Sequence, residues 1–231
     1  MADLHIAIFA KSPIAGQVKT RLIPLLGAEG AAAAYRQMLL HALQIASDAA
    51  SAQLSLWTSG APDHPFLIEC KNRYAVPLFQ QSDGDLGDRM ATCLRQLLQQ
   101  HDRVLLIGSD CPVLSVADLK QAAAALQGSA QMVFTPAEDG GYVLVGMRRS
   151  NDVKAVVDVS HNAAKAGFCA FDNIAWSTTD VMAQTRERLT AQGWLNGYDW
   201  AELPTRWDVD EPADYQRALR AGLLQALDRS K

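Results

Sequence analysis

The chain has 231 residues, of which 49% are hydrophobic and 20% charged, proportions that are typical of a globular protein and exclude disorder as its main state. Lys and Arg number 21 against 25 Asp and Glu, so the net charge is −4 and no overall positive field is available to hold nucleic acid. We therefore expect no nucleic-acid partner.

The cysteines, Cys70, Cys93, Cys111 and Cys169, form no Cys-x-x-Cys motif, and no His stands at zinc-ligand spacing. We expect reduced, mostly buried thiols. The chain runs from Met1 directly into a strand-like segment, and no stretch approaches the ~18 apolar residues that a membrane span requires. These features predict a cytoplasmic protein without a membrane span.

Short apolar runs and amphipathic stretches alternate along the chain, which predicts an α/β fold. The predicted strands span residues 4–10, 53–58, 76–80, 103–107, 132–135 and 142–147. The predicted helices span residues 28–50, 86–100, 178–192 and 211–227, and a further helix begins at Ser115 with a capping box to Asp118. Ser177 and Gly193 are expected to cap and to end the helix over 178–192. Residues 195–206 favour neither element.

Right-handed crossovers place helices on both sides of a parallel sheet. The alternation through the first 135 residues therefore predicts a doubly wound, Rossmann-like α/β/α sandwich with a mostly parallel mixed sheet. No linker, charge block or repeat divides the chain, so we expect a single domain over residues 1–231. Ligands of such sheets bind at the carboxyl ends of the strands, and the loops there are the candidate site.

The loop after the first predicted strand, residues 11–22, has the composition of a phosphate-binding loop. It contains three cations, Lys11, Lys19 and Arg21, and backbone N–H groups in a turn around Gly16. Both kinds of group favour phosphate oxygens. The spacing excludes a P-loop, which needs a second glycine, and no dinucleotide motif follows the strand. The alternative is an ordinary turn with solvated basic residues.

Acidic residues follow two other predicted strands. Asp110 comes directly after the strand over 103–107, where a carboxylate suits a divalent cation, although it could also cap the next turn. Asp139 precedes Gly140 and Gly141, and this glycine pair lets backbone approach a ligand closely. A plain Asp-Gly hairpin turn would have the same sequence.

A further acidic pair, Asp208 and Asp210, shares one side of the chain if the segment is extended, because side chains repeat every two residues. Asp210 could equally be the N-cap of a helix that begins at Pro212. A basic loop together with carboxylates from three other loops is the combination required for Mg²⁺-dependent chemistry on a nucleotide. The sequence therefore favours a nucleotide site over four unrelated turns.

Six short motifs occur in order along the chain, at residues 10–22, 85–90, 108–112, 139–142, 176–178 and 208–210. Together they resemble the bacterial family DUF2064, also called the radical-SAM/selenodomain-associated transferase 1 family, of the GT-A or nucleotide-diphospho-sugar transferase superfamily. The resemblance spans nearly the whole chain and implies a single GT-A-like domain. The chain is longer than the family leads us to expect between Arg148 and Phe171, where His161 is expected to be a solvated loop residue.

The resemblance also implies roles for individual residues. The first loop is similar to the one with which molybdenum-cofactor and 2-phospholactate nucleotidyltransferases hold a nucleoside triphosphate. The residues expected to bind the nucleotide are Lys11, Ser12, Gly16, Lys19, Arg21, Gly87, Arg89, Gly140 and Gly141. Those expected to be catalytic are Lys19, Arg21, Asp110 and Asp139, and those expected to hold Mg²⁺ or Mn²⁺ are Asp110, Asp208 and Asp210. Arg89 could instead belong to a solvated helix start.

These observations predict a metal-dependent transferase that acts on a nucleotide or sugar nucleotide and a small-molecule acceptor. Nucleotidyl transfer is slightly preferred over glycosyl transfer, because three cations suit a triphosphate better than a diphosphate already paired with metal. Glycosyl transfer would need a base such as Asp139 or Asp208. The remaining alternative is a nucleotide-binding protein without turnover.

Overall fold

The computed structural model of the chain describes residues 4–49, 52–149 and 169–227. Its strands are β1 (Leu4–Lys11), β2 (Ala52–Ser59), β3 (Leu78–Gln80), β4 (Arg103–Gly108), β5 (Met132–Pro136), β6 (Tyr142–Arg148) and β7 (Trp200–Glu202). Within these residues the helices are α1 (Ile23–Asp48), α2 (Pro65–Tyr74), α3 (Leu86–Leu98), α4 (Val116–Gln127), α5 (Val181–Ala191) and α6 (Pro212–Arg220). Short 3-10 helices cover Thr20–Leu22 and Cys169–Phe171. The elements alternate along the chain, and the fold is α/β.

The strands form one mixed sheet in the order β3-β2-β1-β4-β6-β5-β7. β1 is parallel to β2 and β4, β2 to β3, and β5 to β7, whereas β6 is antiparallel to both β4 and β5. The mostly parallel mixed sheet that the sequence predicts is confirmed. The chain moves from β1 to one side and later returns as β4 on the other, which opens a crevice between the carboxyl ends of β1 and β4.

Helices cover both faces of the sheet because each strand alternates its apolar side chains between the two sides. On one face, Ile6 and Ile8 of β1 pack with apolar residues of α1, α2 and α4. On the other, Ala7 packs in a cluster with residues of α3 and α5. Two apolar cores on opposite faces hold the sheet, as expected of an α/β/α sandwich.

A third apolar cluster lies beside the carboxyl edge of the sheet and positions the loop after β1. Val18 and Leu22 of this loop are buried with Trp207 and Val209, which precede α6, and with Tyr215 of α6 itself. These apolar side chains anchor both segments against α1. The charged residues next to them are consequently held at the crevice.

Several predicted boundaries are confirmed. Gly27 has φ 71° and ψ 169°, so the regular helix of α1 begins after it, as predicted. The capping box of α4 is present, with Asp118 N–H donating to the Ser115 hydroxyl and Ser115 N–H to the Asp118 carboxylate. Gly193 has φ +78° and follows the end of α5, where a left-handed residue ends a helix.

The predicted start of α5 and the predicted end of α6 are wrong. α5 begins at Val181 with Asp180 as its N-cap, because Ser177 has φ 65°, a left-handed conformation in which it does not cap the helix. α6 ends at Arg220 rather than at residue 227, since Gly222 turns the chain with φ +69°.

Two elements were not predicted. α2 occupies a stretch expected to be a connection; its N-cap is His64, whose Nδ1 accepts from Phe66 N–H at 3.2 Å, and only Leu67 and Cys70 of it are buried. An uncommon cap and a narrow apolar face leave little signal in the sequence. The ambiguous segment 195–206 contains the short edge strand β7.

Cys70, Cys93 and Cys111 are buried and unpaired, as expected, whereas the side chain of Cys169 and the whole of His161 lie outside the described residues. Burial raises the pKa of the Cys111 thiol to about 12, so this thiol stays protonated at neutral pH. None of the helices in the described part of the chain combines the length and the apolar character needed to cross a bilayer.

Candidate functional site

The loop that follows β1 is fixed at both ends by hydrogen bonds and buried side chains. Ser12 N–H donates to the Ser59 carbonyl at 3.1 Å, and the Ser12 hydroxyl donates to the Ala61 carbonyl at 2.7 Å. Gly16 turns the loop with φ +80°, and Lys19 has φ 45°, which is uncommon for a residue with a side chain. This conformation, just after buried Val18, directs Lys19 toward the carboxylates that follow β4 and precede α6.

Three carboxylates converge at the crevice. Asp110 lies two residues after β4, and Asp208 and Asp210 flank the buried Val209 on an extended segment. Val209 N–H donates to the Asp110 carbonyl at 3.0 Å, which fastens the two segments together. Each carboxylate can offer an oxygen such that all three lie within 4.8 Å of one another. Asp210 is not the N-cap of α6, because Glu211 occupies that position. The Asp110 carboxylate accepts a hydrogen bond from Lys19 Nζ and does not cap the following turn.

Lys19 forms ion pairs with two of these carboxylates. Its Nζ lies 2.9 Å from Asp110 Oδ2 and 2.7 Å from Asp210 Oδ1, and its side chain is only 7% exposed. Burial alone would lower the pKa of the Lys19 ammonium, but the attraction of the two carboxylates outweighs burial and holds this pKa above its ordinary value. Arg21 is a more exposed neighbour, with Nη1 3.3 Å from Asp210 Oδ2.

The third carboxylate, Asp208, is not neutralised in the same way. Burial together with the nearby charges of Asp110 and Asp139 raises the pKa of Asp208 to about 7. Full ionisation of Asp208 would add a third negative charge to those of Asp110 and Asp210, against one positive charge of Lys19 and one of the more exposed Arg21. A further cation is the natural partner of such a site.

The hairpin between β5 and β6 forms the opposite wall of the cleft. Asp139 Oδ1 accepts from Gly141 N–H at 2.9 Å, so the turn that stood as the alternative to a ligand-binding role of Asp139 is present. Gly140 has φ +91°, and a Cβ on it would lie 1.9 Å from the Thr179 carbonyl oxygen. Met182 N–H also donates to the Gly140 carbonyl at 2.8 Å. The glycine is required because the segment before α5 packs directly on the turn.

These walls enclose a cleft of about 710 Å³ at the carboxyl edge of the sheet. Most of the residues predicted from the sequence line it, namely Lys11, Lys19, Arg21, Arg89, Asp110, Asp139, Gly141, Asp208 and Asp210. Four other predicted residues lie behind the lining of the cleft: Ser12, Gly16, Gly87 and Gly140. Ser12 and Gly16 shape the first loop, and Gly140 packs on Thr179. Gly87 packs so closely on Trp176 that a Cβ would lie 2.6 Å from the indole.

The cleft also contains residues to which the sequence analysis gave no role, among them Tyr35 and Gln81. Ser109 and Trp176 line it as well, and these two lie within the motifs at residues 108–112 and 176–178. Ser109 lies next to Asp110 just after a buried strand, and this position in the sequence indicates a residue of the site. Tyr35 lies within α1 and Gln81 just after the short β3, and nothing local in the sequence distinguishes them from structural residues.

The chemistry of the carboxylate cluster fits a divalent cation. Mg²⁺ and Mn²⁺ prefer oxygen ligands, and proteins commonly supply only one or two carboxylates when phosphates complete the coordination. Asp110, Asp208 and Asp210 offer oxygens close enough to share one ion, and the ammonium of Lys19 already lies between two of them. These are therefore the residues that would hold the metal.

The fold is that of the GT-A glycosyltransferases and related nucleotidyltransferases. A protein from Desulfovibrio desulfuricans, assigned as a nucleotide-diphospho-sugar transferase, superposes with a TM-score of 0.79 and 28% identity over 100% of this chain and 92% of its own. CMP:2-keto-3-deoxy-manno-octonic acid synthetase, complexed with CTP, gives a TM-score of 0.58 at 14% identity over 96% of this chain and 100% of the synthetase.

Glucosyl-3-phosphoglycerate synthase from Mycobacterium tuberculosis, in complex with Mn²⁺ and uridine diphosphate, gives a TM-score of 0.51 at 11% identity over 96% of this chain and 77% of the synthase. No curated protein sequence matches the chain significantly. Residues 42–178 match the family described as "Uncharacterized protein conserved in bacteria (DUF2064)". The chain belongs to this family, and the membership expected from its motifs is confirmed.

Proposed function

We propose that the chain is a metal-dependent transferase that acts on a nucleotide, with nucleotidyl transfer from a nucleoside triphosphate as its reaction. The observation that carries this proposal is the convergence of Asp110, Asp208 and Asp210 within 4.8 Å beside a basic loop. A metal site next to cations is suited to a polyphosphate, because both neutralise phosphate oxygens. We take residues 1–231 as one domain that carries this site.

In the proposed reaction, an acceptor oxygen attacks the α-phosphorus of the triphosphate and pyrophosphate leaves. Lys11, Lys19 and Arg21 would bind the phosphates and stabilise the negative charge that develops on the transferred group and on pyrophosphate. An anionic acceptor, such as a phosphate oxygen, needs no general base. A Mg²⁺ or Mn²⁺ ion held by the three carboxylates would supply Lewis-acid stabilisation of the same charge.

Glycosyl transfer from a sugar nucleotide is the second candidate, and the position of Asp139 favours it. Asp139 lies on the wall opposite the basic loop and close enough to Asp208 to raise the pKa of that carboxyl group. A carboxylate in this position could accept the proton of an acceptor hydroxyl while the nucleoside diphosphate leaves. The two candidates differ in their products, since one releases pyrophosphate and the other a nucleoside diphosphate.

The solved structures support this choice of class. The octonic acid synthetase was crystallised with CTP, and the phosphoglycerate synthase with Mn²⁺ and a uridine nucleotide, and both share the fold of this chain. The D. desulfuricans protein, which has 28% identity over the full chain, is described as a nucleotide-diphospho-sugar transferase.

The first test screens the four ribonucleoside triphosphates and common sugar nucleotides with Mg²⁺ or Mn²⁺, each in the presence of a mixture of phosphorylated and hydroxylated small molecules as acceptors, and identifies the released product by phosphorus NMR. We expect pyrophosphate to appear with one triphosphate. Replacement Asp110→Asn should lower metal-dependent turnover by at least about 100-fold, because it removes charge from the site that stabilises the transition state. Asp48→Asn, an exposed aspartate on α1, is the matched control.

Each result has a distinct meaning. Release of a nucleoside diphosphate from a sugar nucleotide would replace nucleotidyl by glycosyl transfer. Turnover that persists unchanged in Asp110→Asn would exclude this residue from the mechanism. Binding of nucleotide without any product would leave the chain as a non-catalytic nucleotide-binding protein.

A further inference from the structure

The hydroxyl of Tyr35 lies at the crevice between β1 and β4. The side chain comes from α1 and is only 3% exposed, and it reaches the carboxyl ends of both strands. Its oxygen accepts from the backbone N–H of Lys11 at 2.7 Å and lies 2.8 Å from the hydroxyl oxygen of Ser109. Tyr35 therefore connects the last residue of β1 to the residue that precedes Asp110.

The geometry of the sheet explains why an acceptor is needed there. Ser12 N–H points to β2, where it meets the Ser59 carbonyl, so the preceding N–H of Lys11 points to the other side, toward β4. The register between β1 and β4 ends at the pair Phe9–Gly108, and β4 offers Lys11 no partner. An unpaired N–H in this position would be costly, and the Tyr35 oxygen satisfies it.

The hydrogen atoms of the pair can be assigned by accounting for donors and acceptors. Tyr35 has one hydroxyl hydrogen, and among the described residues its only side-chain or carbonyl acceptor within hydrogen-bond distance is Ser109 Oγ. Either hydroxyl could donate by distance alone. The Tyr35 oxygen already accepts from Lys11 N–H, and a phenol is a stronger donor and a weaker acceptor than an aliphatic hydroxyl, so we assign Tyr35 as the donor and Ser109 as the acceptor. The hydrogen of Ser109 is then left without an acceptor in the described part of the chain, although Ser109 lines the cleft.

We propose that Ser109 is a ligand-binding residue that donates its hydroxyl hydrogen to a phosphate oxygen of the nucleotide, and that Tyr35 is the positioning residue that orients it. The inference rests on the proposed function, since it assigns a contact within the same site. A phosphate oxygen fits because it is an acceptor for the unused hydrogen of Ser109 and because Lys11 and Lys19 line the same cleft. Asp110, the adjacent residue, would hold the metal bound to the same phosphates.

The test measures binding by calorimetry, with Mn²⁺ present, for the triphosphate that the wild-type protein binds and for inorganic pyrophosphate. Ser109→Ala should weaken the binding of both ligands by about tenfold, because a donor to a charged oxygen is lost. Tyr35→Phe should weaken both by about threefold, since Ser109 can then turn its hydrogen away. In the double variant, Tyr35→Phe should weaken binding by less than it does alone, because its effect on the ligand passes mainly through Ser109. The Lys11 N–H that Tyr35→Phe leaves unpaired should instead lower the free energy of unfolding, in the single and the double variant alike.

Tyr74→Phe is the matched control, because the Tyr74 hydroxyl also contacts α1, at 3.5 Å from the Leu40 carbonyl, but lies outside the cleft. Unchanged affinity in Ser109→Ala overturns the proposal. Additive losses in the double variant overturn the positioning role, and a loss for the triphosphate but not for pyrophosphate overturns the phosphate contact. A wild-type protein that binds neither probe contradicts the proposed function, and this inference with it.

Discussion

At the scale of single residues, Lys19 has the most informative position in the site. Its ammonium group lies between Asp110 and Asp210, within hydrogen-bond distance of both, where it reduces the negative charge that a divalent cation would meet. Lys19 is also a candidate phosphate ligand. A nucleotide that draws Lys19 to its phosphates would free both carboxylates for the metal, which suggests that metal and nucleotide bind together.

We expect Lys19→Met to change two affinities in opposite directions. Mn²⁺ alone should bind at least about tenfold more tightly, because a positive charge within 3 Å of two ligands is removed. Metal-free triphosphate should bind more weakly, because a phosphate ligand is lost. Paramagnetic resonance of free Mn²⁺ and calorimetry measure the two.

Lys11→Met is the control for this experiment, since Lys11 lines the same cleft and no ion pair joins it to another described residue. Lys11→Met should weaken the binding of the triphosphate and should change the affinity for Mn²⁺ less than Lys19→Met does. Equal Mn²⁺ affinity in wild type and Lys19→Met would contradict the competition between Lys19 and the metal.

At the scale of elements, two contacts hold the walls of the cleft. The turn between β5 and β6 packs on Thr179 through Gly140, and the ion pair of Arg206 with Asp118 ties the segment before Asp208 to the start of α4. The Arg206 Nη2 lies 2.5 Å from Asp118 Oδ1, and the Asp118 side chain is 3% exposed. Neither contact touches the proposed ligand, yet both determine where the site residues lie.

Gly140→Ala should lower the free energy of unfolding by about 3 kcal/mol, because its Cβ would overlap the Thr179 carbonyl and its φ is positive. Gly193→Ala, with φ +78° and no atom within 4 Å of its Cβ, should cost only the backbone strain, about 1 kcal/mol. Urea denaturation of both variants gives the comparison. Equal losses would show that the contact with Thr179 contributes nothing.

The ion pair of Asp118 predicts a pH dependence of stability. Burial tends to raise the pKa of Asp118, but the hydrogen bonds from Arg206 and Ser115 outweigh it and hold the pKa below its usual value. A carboxyl group whose pKa is lower in the folded state stabilises the fold above its unfolded pKa of about 4, and this stabilisation is lost as pH falls through the folded pKa.

Asp118→Asn should therefore cost about 3 kcal/mol of unfolding free energy at pH 7, and the difference from wild type should shrink below about pH 4. Unfolding by urea at several pH values measures it. Asp48→Asn, at an exposed position, should show a much smaller difference at any pH. A difference between Asp118→Asn and wild type that stays constant down to pH 3 would contradict the role of the charge.

At the scale of the whole molecule, the site is built where the sheet brings distant loops together. The loop after β1, the residues after β4, the β5–β6 turn and the segment before α6 all meet at one edge of the sheet. A ligand there contacts segments from the beginning to the end of the chain. Its binding free energy should therefore stabilise the fold as a unit.

A metal–triphosphate complex at 100 times its dissociation constant should add about 2.7 kcal/mol to the free energy of unfolding. For a chain of this size, that raises the melting temperature by about 5–10 °C. Differential scanning calorimetry, with and without Mn²⁺, measures the shift. A shift of the same size in Asp110→Asn with Mn²⁺ would show that the metal is not held by this carboxylate.

Much of the fold and the site could be predicted from the sequence because the signals are local. The apolar run before Lys11 defines β1, and the Ser115–Asp118 capping box defines the start of α4, since both depend on neighbouring residues. α2 was not predicted because its N-cap is a histidine and few of its residues are buried. The start of α5 was misplaced because the left-handed conformation of Ser177 is imposed by its surroundings and has no mark in the sequence.

Residue type and spacing along the chain are enough to predict the alternation of strands and helices, the family, and the chemical character of each loop. They do not predict which side chains meet in the folded protein. Lys19 bonds to carboxylates 91 and 191 residues away, and Tyr35 bonds to a serine 74 residues away. Such partners follow from the strand order and from packing on the sheet, because contact between distant segments is a property of the folded chain as a whole.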